Sequence, residues 1–370
     1  IWQRDVRKLC RRLPRSSRKV VPTVDTTKRR LGQFFTRHDV WLRPHIKRHL
    51  ESLLERHSVC VDPFAGDGHL LALAEEMGFE IHGHDIDPQI CQSNGWGVPN
   101  DSLLNVVHHA NAVVLTNPPY MAKNSAKRLG SAARHYFDTN RFPEISEGLF
   151  RVLDDLFKLA IEQTIQTYHE SVWIVPESVI QDLNELPHWR EKLHSITILE
   201  ENPFSDTEHP VCVMIFSTSN PIQQVWKNDT ILGTYGQIRT LHDQTASTAN
   251  NAIAMRFNAP EGILGYRAVD GTKTDNSMRI KFCRGDSLGY ARDKIKVSSR
   301  HLTYIEVDID DELLDKVISE ANQSIEAYRS ATHDVFLTAF MGNTKNGVRR
   351  RRLDYKLARR IFNASYQKCR

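Results

Sequence analysis

Residues 58–68 read SVCVDPFAGDG, a short apolar run followed directly by a turn with two glycines. The apolar run predicts a buried strand, and residues 69–77 have the pattern of a helix that Gly78 ends. Glycines at such a turn let the backbone approach a ligand with no Cβ in the way, and Asp62 can accept hydrogen bonds from a cationic amine. A nucleotide-binding oxidoreductase would have a similar turn, and so would a purely structural loop. This segment alone therefore identifies no ligand.

The pattern around this segment divides the chain into parts. Short apolar runs alternate with amphipathic stretches from residue 31 to residue 217, which predicts strand–helix units and a parallel sheet. Past Asn220, a polar stretch over residues 237–251 precedes short β-like pieces and a helix predicted over residues 311–328. We therefore expect three parts: a basic extension (1–30), an α/β domain (31–222) and a smaller C-terminal mixed α+β domain (223–370).

Charge is concentrated at the two ends of the 370-residue chain, whose net charge is only +4. Residues 1–30 hold 11 Lys or Arg and two Asp, and residues 341–370 hold 10 Lys or Arg and one Asp. The residues between these ends therefore carry a net charge of −14. Basic ends on an acidic body are typical of a protein that binds a polyanion such as nucleic acid, but two solvated tails would look the same.

The chain lacks the patterns of membrane, secreted and metal-binding proteins. Its longest apolar run, Val211–Phe216, has six residues, far short of the roughly 18 of a membrane span. The first thirty residues are basic where a signal peptide would be apolar, and the six cysteines include no close pair. We therefore expect a cytoplasmic protein with no membrane association, no disulfide framework and no metal site.

A second acidic segment, His84-Asp85-Ile86-Asp87, follows the next predicted strand, about 20 residues after the glycine turn. A carboxylate at that position can bind both hydroxyls of a ribose, which indicates a ligand that contains adenosine. The segment does not distinguish NAD from S-adenosylmethionine, although the glycine spacing differs from the Gly-x-Gly-x-x-Gly of dinucleotide sites. Taken alone, Asp85 could equally be a solvated turn residue.

The third segment, Asn117-Pro118-Pro119-Tyr120, follows a strand predicted over residues 112–116. Its two prolines fix the backbone and remove two donors, so carbonyl oxygens stay free to accept hydrogen bonds. If the Asn117 side-chain oxygen and the Pro118 carbonyl accept the N–H groups of a base's exocyclic amine, that nitrogen can attack a sulfonium methyl in line. Tyr120 would stack on the base, which must first leave the double helix. The segment therefore predicts methyl transfer to the amino group of a flipped base.

Together, the three segments resemble the DNA amino-methyltransferases, and their order resembles the gamma group of N6-adenine enzymes from restriction–modification systems. In that family a Gly-Gln-Phe/Tyr-Phe-Thr segment precedes the glycine turn, and here residues 31–36 read LGQFFT. The resemblance covers about residues 31–217 of the chain. It implies a doubly wound, mostly parallel, seven-stranded Rossmann-like α/β domain, S-adenosylmethionine as cofactor, and a C-terminal target-recognition domain.

The same resemblance implies a set of site residues. Thr36 and Asp62 would hold the methionine end of the cofactor. Asp85 would bind the ribose, while Ile86 and Asp101 would contact the adenine. The implied cofactor-binding residues are Phe35, Thr36, Asp62, Phe64, Ala65, Gly66, Gly68, Asp85, Ile86, Asp101 and Asn117. The implied catalytic residues are Asn117, Pro118, Pro119, Tyr120 and, on the far face of the target base, Phe204.

A basic run near the C terminus predicts contacts to nucleic acid. Lys345 precedes four consecutive arginines, and guanidinium forks can bind phosphates or the guanine edge in the major groove. We therefore expect double-stranded DNA as the partner of a monomeric enzyme, and the family resemblance allows for a cognate restriction endonuclease that acts on the same site. The predicted DNA-binding residues are Lys345, Arg349, Arg350, Arg351 and Arg352.

Other acceptors and two other classes of protein remain open at this point. N4-cytosine enzymes use the same geometry but more often have Ser at the position of Asn117, and RNA or a glutamine side chain could replace DNA. The chain has no Pro-Cys pair, so the cysteine nucleophile of cytosine-C5 enzymes is excluded. The intact segment from Asn117 to Tyr120 counts against a DNA-binding module with a vestigial methyltransferase fold, and a dehydrogenase would leave the double proline unexplained.

Overall fold

The structure, a computed structural model, describes residues 38–204, 209–247, 252–275 and 277–370. The basic extension predicted over residues 1–30 and the LGQFFT segment with Phe35 and Thr36 lie outside the described residues, so their roles stay predictions. None of the helices within the described ranges is both long and apolar enough to cross a membrane.

Strands and helices alternate in the first part of the chain, as predicted. The elements are α1 (His38–Trp41), α2 (Pro44–Leu54), β1 (Val59–Asp62), α3 (His69–Met77), β2 (Glu80–Gly83), α4 (Pro88–Asn94), β3 (Ala112–Thr116), α5 (Lys123–Leu129), α6 (Glu147–Val152), α7 (Leu156–Thr167), β4 (Glu170–Pro176), α8 (Val179–Asp182), α9 (Pro187–Lys192), β5 (Leu193–Ile198), β6 (Val211–Ser217), β7 (Gln224–Lys227) and β8 (Thr230–Thr234). Strands β3, β4 and β6 are buried along their whole length. This burial on both faces explains why their sequences are nearly continuous apolar runs.

These strands form one large sheet in the order β2-β1-β3-β4-β6-β5-β7-β8. The predicted α/β class is confirmed, and four of the seven strand pairings are parallel. The sheet has eight strands and not the predicted seven, because β7 pairs with β5 and β8 then pairs with β7. The large sheet therefore continues to Thr234, past residue 222 where the sequence pattern placed the end of the first domain.

A smaller antiparallel sheet forms in the remaining part of the chain. The elements are α10 (Tyr235–Ser247), β9 (Met255–Phe257), β10 (Leu264–Arg267), β11 (Lys281–Arg284), β12 (Leu302–Val307), α11 (Asp311–Thr332), β13 (Thr338–Asn343), β14 (Arg349–Arg352) and α12 (Tyr355–Cys369). Strands β9 to β12 lie in the order β11-β10-β12-β9, and β13 pairs with β14 in a separate hairpin. Buried apolar residues of this sheet, α11 and α12 form a second hydrophobic core, which is the mixed α+β architecture that the sequence predicts.

A buried charge network holds the β13–β14 hairpin in place. The Arg329 guanidinium donates to both carboxylate oxygens of Asp270 at 2.9 Å and also pairs with Asp334. Asp270 in turn accepts hydrogen bonds from the amide of Arg351 through its side chain and from Nε of Arg350 through its carbonyl. Since removing one partner from such a network leaves an uncompensated buried charge, the hairpin is firmly anchored to the C-terminal core.

Candidate active site

Asp62 and Asn117 lie at the same edge of the large sheet because β1 and β3 are neighbouring parallel strands. Thr116, the last residue of β3, donates from its hydroxyl to Asp62 Oδ1 over 2.5 Å. The same oxygen accepts a hydrogen bond from the amide of Phe64 at 2.9 Å. Thr116 thus connects the glycine turn to the Asn117 segment. Sequence analysis missed this contact, because the two side chains are 54 residues apart in the chain.

Burial controls the ionisation of Asp62. Its side chain is only 2% exposed, and burial raises the pKa of Asp62 to about 7, against the opposing effect of the bonds from Thr116 and Phe64. Both bonds go to Oδ1, so no donor within the described part of the chain reaches Oδ2. A bound cation beside this carboxylate would lower its pKa again, because a nearby opposite charge favours the ionised form.

The glycine turn is fixed against the chain that follows β2. The amide of Ala65 donates to the carbonyl of His84 at 2.8 Å, and the amide of Gly66 donates to Asp85 Oδ2 at 3.0 Å. Gly66 and Gly68 have φ angles of +49° and +80°, the left-handed region that favours glycine. The first two predicted segments are therefore joined into one backbone unit.

Trp96, which sequence analysis did not single out, packs against the same turn. Its indole Nε1 donates to the carbonyl of Gly66 at 3.0 Å. A Cβ built on Gly68 would lie 2.7 Å from Trp96 Cζ2, and a Cβ on Gly83 would lie 2.5 Å from Cδ2 of the same indole. The structure thus places Gly68 against Trp96, so the absence of a side chain at this position serves packing.

Asp85 and Ile86 follow β2 and have opposite environments. Asp85 is 6% exposed, and its Oδ1 accepts a hydrogen bond from the amide of Asp87 at 2.8 Å. Burial raises the pKa of the Asp85 carboxyl above its usual range. The side chain of Ile86, by contrast, is 53% exposed.

A cavity of about 300 Å³ opens between the glycine turn and the Asn117 segment. This volume is in the range of small-molecule sites. Nine of the predicted site residues line it: Asp62, Phe64, Ala65, Gly66, Asp85, Ile86, Asp101, Asn117 and Pro119. The remaining predicted residues that the structure describes in this region lie outside the lining: Gly68, Pro118, Tyr120 and Phe204.

The segment after Tyr120 contributes a wall of this cavity. It forms α5 and a 3₁₀ turn over Ala132–Phe137, whose residues His135 and Tyr136 line the cavity. The Tyr136 hydroxyl donates to Asp101 Oδ2 at 2.7 Å. Asp101 is the carboxylate that the resemblance assigns to the cofactor adenine, so Tyr136 holds this acceptor at the cavity wall.

Hydrogen bonds fix the Asn117 side chain. The Tyr120 hydroxyl donates one proton and lies 2.5 Å from Asn117 Oδ1 and 2.7 Å from the carbonyl of Ile174. Burial raises the pKa of Tyr120 well above its usual value, so the hydroxyl keeps its proton. Pro118 O accepts no backbone N–H bond from the described residues. The role of Asn117 Oδ1 and Pro118 O as acceptors for an amine stays a prediction.

Tyr120, Phe204 and His209 form an aromatic cluster beside Asn117. The rings of Tyr120 and Phe204 are 6.3 Å apart at 65°, and His209 lies 5.9 Å from Tyr120. Tyr120 and Phe204 are 8% and 4% exposed, respectively. Because these two rings meet edge to face, no base fits between them in this conformation. Their predicted stacking on a target base requires one ring to turn.

The arginine run forms β14, and two of its side chains turn inward. Arg351 is 1% exposed and forms an ion pair with Glu177, which follows β4 of the large sheet. Arg349 is 4% exposed and donates to the carbonyl of Glu200 at 3.3 Å. The structure corrects the predicted phosphate contacts of these two residues, because both are buried where the hairpin meets the large sheet. Consecutive arginines in a strand alternate between faces, so a basic run in the sequence need not be a basic surface.

The other predicted DNA contacts are more accessible. Lys345 is exposed in the turn between β13 and β14. Arg350 is half-buried, with its guanidinium 4.8 Å from the centre of the Phe340 ring, and Arg352 is half-buried as well. These three residues are available to bind a polyanion.

Comparisons with known proteins give no close relative. No protein-family model matches the chain, and no curated protein does. Solved structures with similar folds include a methyltransferase subunit of a type I restriction–modification system from Streptococcus thermophilus, at 16% identity and a TM-score of 0.36 over 58% of this chain. The chain spans about half of that subunit, 54% of its length.

Two further similar structures are shorter proteins. One is an rRNA methylase from Streptococcus thermophilus, at 14% identity and a TM-score of 0.26 over 47% of this chain and 96% of the methylase. The other is a TehB-like S-adenosylmethionine-dependent methyltransferase from Corynebacterium glutamicum, at 14% identity and a TM-score of 0.27 over 45% of this chain and 86% of that protein. The function proposed below rests on the residues of the cavity and not on these similarities.

Proposed function

We propose that the chain is an S-adenosylmethionine-dependent methyltransferase that modifies the N6 amino group of adenine in double-stranded DNA. The observation that carries this proposal is the single cavity that joins Asp62, Asp85 and the Asn117 segment. A glycine turn and a carboxylate would suit many adenosine ligands. Only the double-proline segment beside them adds acceptors for the N–H groups of an amine, and this combination supports amino-methyl transfer.

The residues of the cavity fit the cofactor. The free Oδ2 of Asp62 suits an ammonium group, Asp85 suits a ribose, and the exposed Ile86 offers an apolar surface for an adenine ring. Asp101 provides an acceptor for the adenine amino group. When bound, the cofactor supplies an electrophilic methyl group.

The chain's own residues would act on the amine. Asn117 Oδ1 and Pro118 O would accept its two N–H bonds, which orients the nitrogen lone pair and stabilises the positive charge that develops on nitrogen. Tyr120 would keep Asn117 in this orientation through its hydroxyl. The proline ring at residue 118 cannot donate a hydrogen bond, so it adds no competing donor at the point of reaction.

The accessible basic residues support a nucleic-acid substrate. Lys345, Arg350 and Arg352 lie on the hairpin that is anchored beside the large sheet, and each can contact a phosphate. The basic terminal segments add to the attraction at long range.

The acceptor can be identified by transfer of an isotope-labelled methyl group. The purified chain is incubated with labelled S-adenosylmethionine and either duplex DNA or RNA, and the nucleosides are separated by mass spectrometry. We expect label in N6-methyl-2′-deoxyadenosine from DNA. Label in N4-methylcytosine or in RNA would keep methyl transfer but replace the acceptor, whereas label in no nucleoside would contradict the proposal.

We expect cofactor binding to depend on pH through Asp62. With a pKa of about 7, Asp62 is mostly neutral at pH 5, and a cationic ammonium prefers the carboxylate. The affinity should therefore rise by up to about tenfold per pH unit below pH 7 and level off above it. Calorimetric titration from pH 5 to pH 7.5 measures this. The Asp62→Asn variant should bind S-adenosylmethionine more weakly, and its affinity should change much less with pH. If the affinity of this variant depends on pH as steeply as that of the parent, another group is responsible for the pH dependence.

A further inference from the structure

A second cavity, of about 220 Å³, lies between α10 and the beginning of α12. Its floor includes Phe336 and Leu337, and it shares no residue with the cavity that holds Asp62. Four cationic side chains line it: Arg239, Arg352, Lys356 and Arg360. Such a concentration of one charge around a concave site is unusual and indicates an anionic ligand.

Only part of this positive charge is neutralised by the protein. Arg239 pairs with Asp243 at 2.8 Å. The other carboxylate at the cavity, Asp354, accepts a hydrogen bond from the amide of Leu357 and caps α12. Two carboxylates against four cations leave the lining with a net charge of +2. The cavity is therefore electropositive without any contribution from histidine.

The one histidine of the lining, His242, does not change this balance. Burial and the nearby Arg239 lower the pKa of His242 below its usual value, so the imidazole is neutral at pH 7. Its Nδ1 lies 2.7 Å from the hydroxyl of Tyr328, which fixes the ring. His242 therefore adds a polar surface and no charge.

Three of the cations have no carboxylate partner. Arg352, Lys356 and Arg360 form no salt bridge with any described residue. In addition, Nε of Arg352 is buried and has no hydrogen-bond partner in the described chain. These three cations therefore have no ion-pair partner among the described residues and are available to an anion in the cavity.

We propose that this second cavity binds a phosphate group. Guanidinium groups present fork-shaped donors that match phosphate oxygens, and the positive end of the 15-residue helix α12 lies at the same place. The phosphate can belong to a nucleic-acid backbone or be free in solution. Arg352 directly follows Arg351, which pairs with Glu177, so the cavity adjoins the hairpin's contact with the large sheet. This proposal does not depend on methyl transfer.

Inorganic phosphate is the first probe. We expect millimolar phosphate to raise the melting temperature of the intact chain saturably, by about 2–4 °C more than chloride at matched ionic strength. Arg360→Gln and Lys356→Gln should lose at least half of this increase. Both variants should melt no earlier than the parent in chloride, because each relieves repulsion between like charges. Lys368→Gln is the matched control, since Lys368 is 66% exposed on the same helix, about 18 Å from Lys356.

The salt dependence of duplex DNA binding separates the two sources of phosphate. A backbone phosphate in the cavity predicts that Arg360→Gln lowers the slope of log affinity against log salt by about one, while Lys368→Gln leaves it unchanged. Loss of the response to inorganic phosphate with an unchanged slope would instead identify a free phosphate ligand. If Arg360→Gln and Lys356→Gln match the parent in both measurements, the proposal is overturned. Neither measurement requires S-adenosylmethionine, so a failed methylation assay would not affect it.

Discussion

Asn117→Ala should abolish most methyl transfer while leaving cofactor binding nearly intact. The Asn117 side chain provides one of the two oxygens that accept the N–H bonds of the target amine, and its loss removes stabilisation that is needed mainly in the transition state. Removing one preorganised group of this kind costs roughly 10²–10³ in rate. We expect a loss of that size in single-turnover methylation, with a dissociation constant for S-adenosylmethionine within a few-fold of the parent.

Two variants make this result specific. Tyr120→Phe removes the hydroxyl that contacts Asn117 Oδ1 and Ile174 O but keeps the acceptor oxygen, so we expect a smaller loss, about tenfold. Asn140→Ala changes an exposed asparagine away from the cavity and should have no effect. If Asn117→Ala retains turnover within a few-fold of the parent, the role assigned to this side chain is wrong.

Arg351→Met should strongly destabilise the folded chain. Arg351 and Glu177 have side chains that are 1% and 3% exposed, so the variant leaves a carboxylate buried without its cation. Breaking a buried pair in this way typically costs about 3–5 kcal/mol. The free energy of unfolding, measured by urea denaturation, should fall by that amount.

The double variant Glu177→Leu/Arg351→Met tests the reason for this loss. Since an apolar pair of similar volume often replaces a buried ion pair at little cost, most of the lost stability should return. Arg350→Met is the control at a neighbouring position. It loses the hydrogen bond to the Asp270 carbonyl and the contact with Phe340, so we expect the free energy of unfolding to fall by about 1 kcal/mol. A loss below about 1 kcal/mol for Arg351→Met would mean that the pair is solvated and would restore Arg351 as a candidate DNA contact.

Local patterns in the sequence were sufficient to predict the α/β class of the large sheet and nine of the residues that line the cavity. The apolar runs of β1, β3, β4 and β6 are buried strands, and the positions of Asp62, Asp85 and Asn117 follow from strand order alone. Because the ends of neighbouring parallel strands meet at one edge, residues far apart in the chain could be assigned to one site.

The contacts that depend on packing between distant segments could not be predicted in this way. Two examples are the hydrogen bond from Tyr136 to Asp101 and the hydrogen bond from Trp96 to Gly66. Each joins a side chain to a loop, and the spacing of apolar residues in the sequence does not predict where these loops lie relative to each other. The error at Arg351 has the same origin, since its partner Glu177 is 174 residues away. A charge run shows that cations are present, but only the fold shows which of them are buried against a carboxylate.

The most direct measurement of the central claim is a calorimetric titration of the intact chain with S-adenosylmethionine and, separately, with NAD. We expect one S-adenosylmethionine per chain and no binding of NAD. Ile86→Asp, which places a carboxylate at the exposed apolar wall of the cavity, should abolish this binding, while Ile222→Asp, at an exposed position outside the cavity, should leave it unchanged. No heat of binding with S-adenosylmethionine, or equal binding by the parent and Ile86→Asp, would contradict the account.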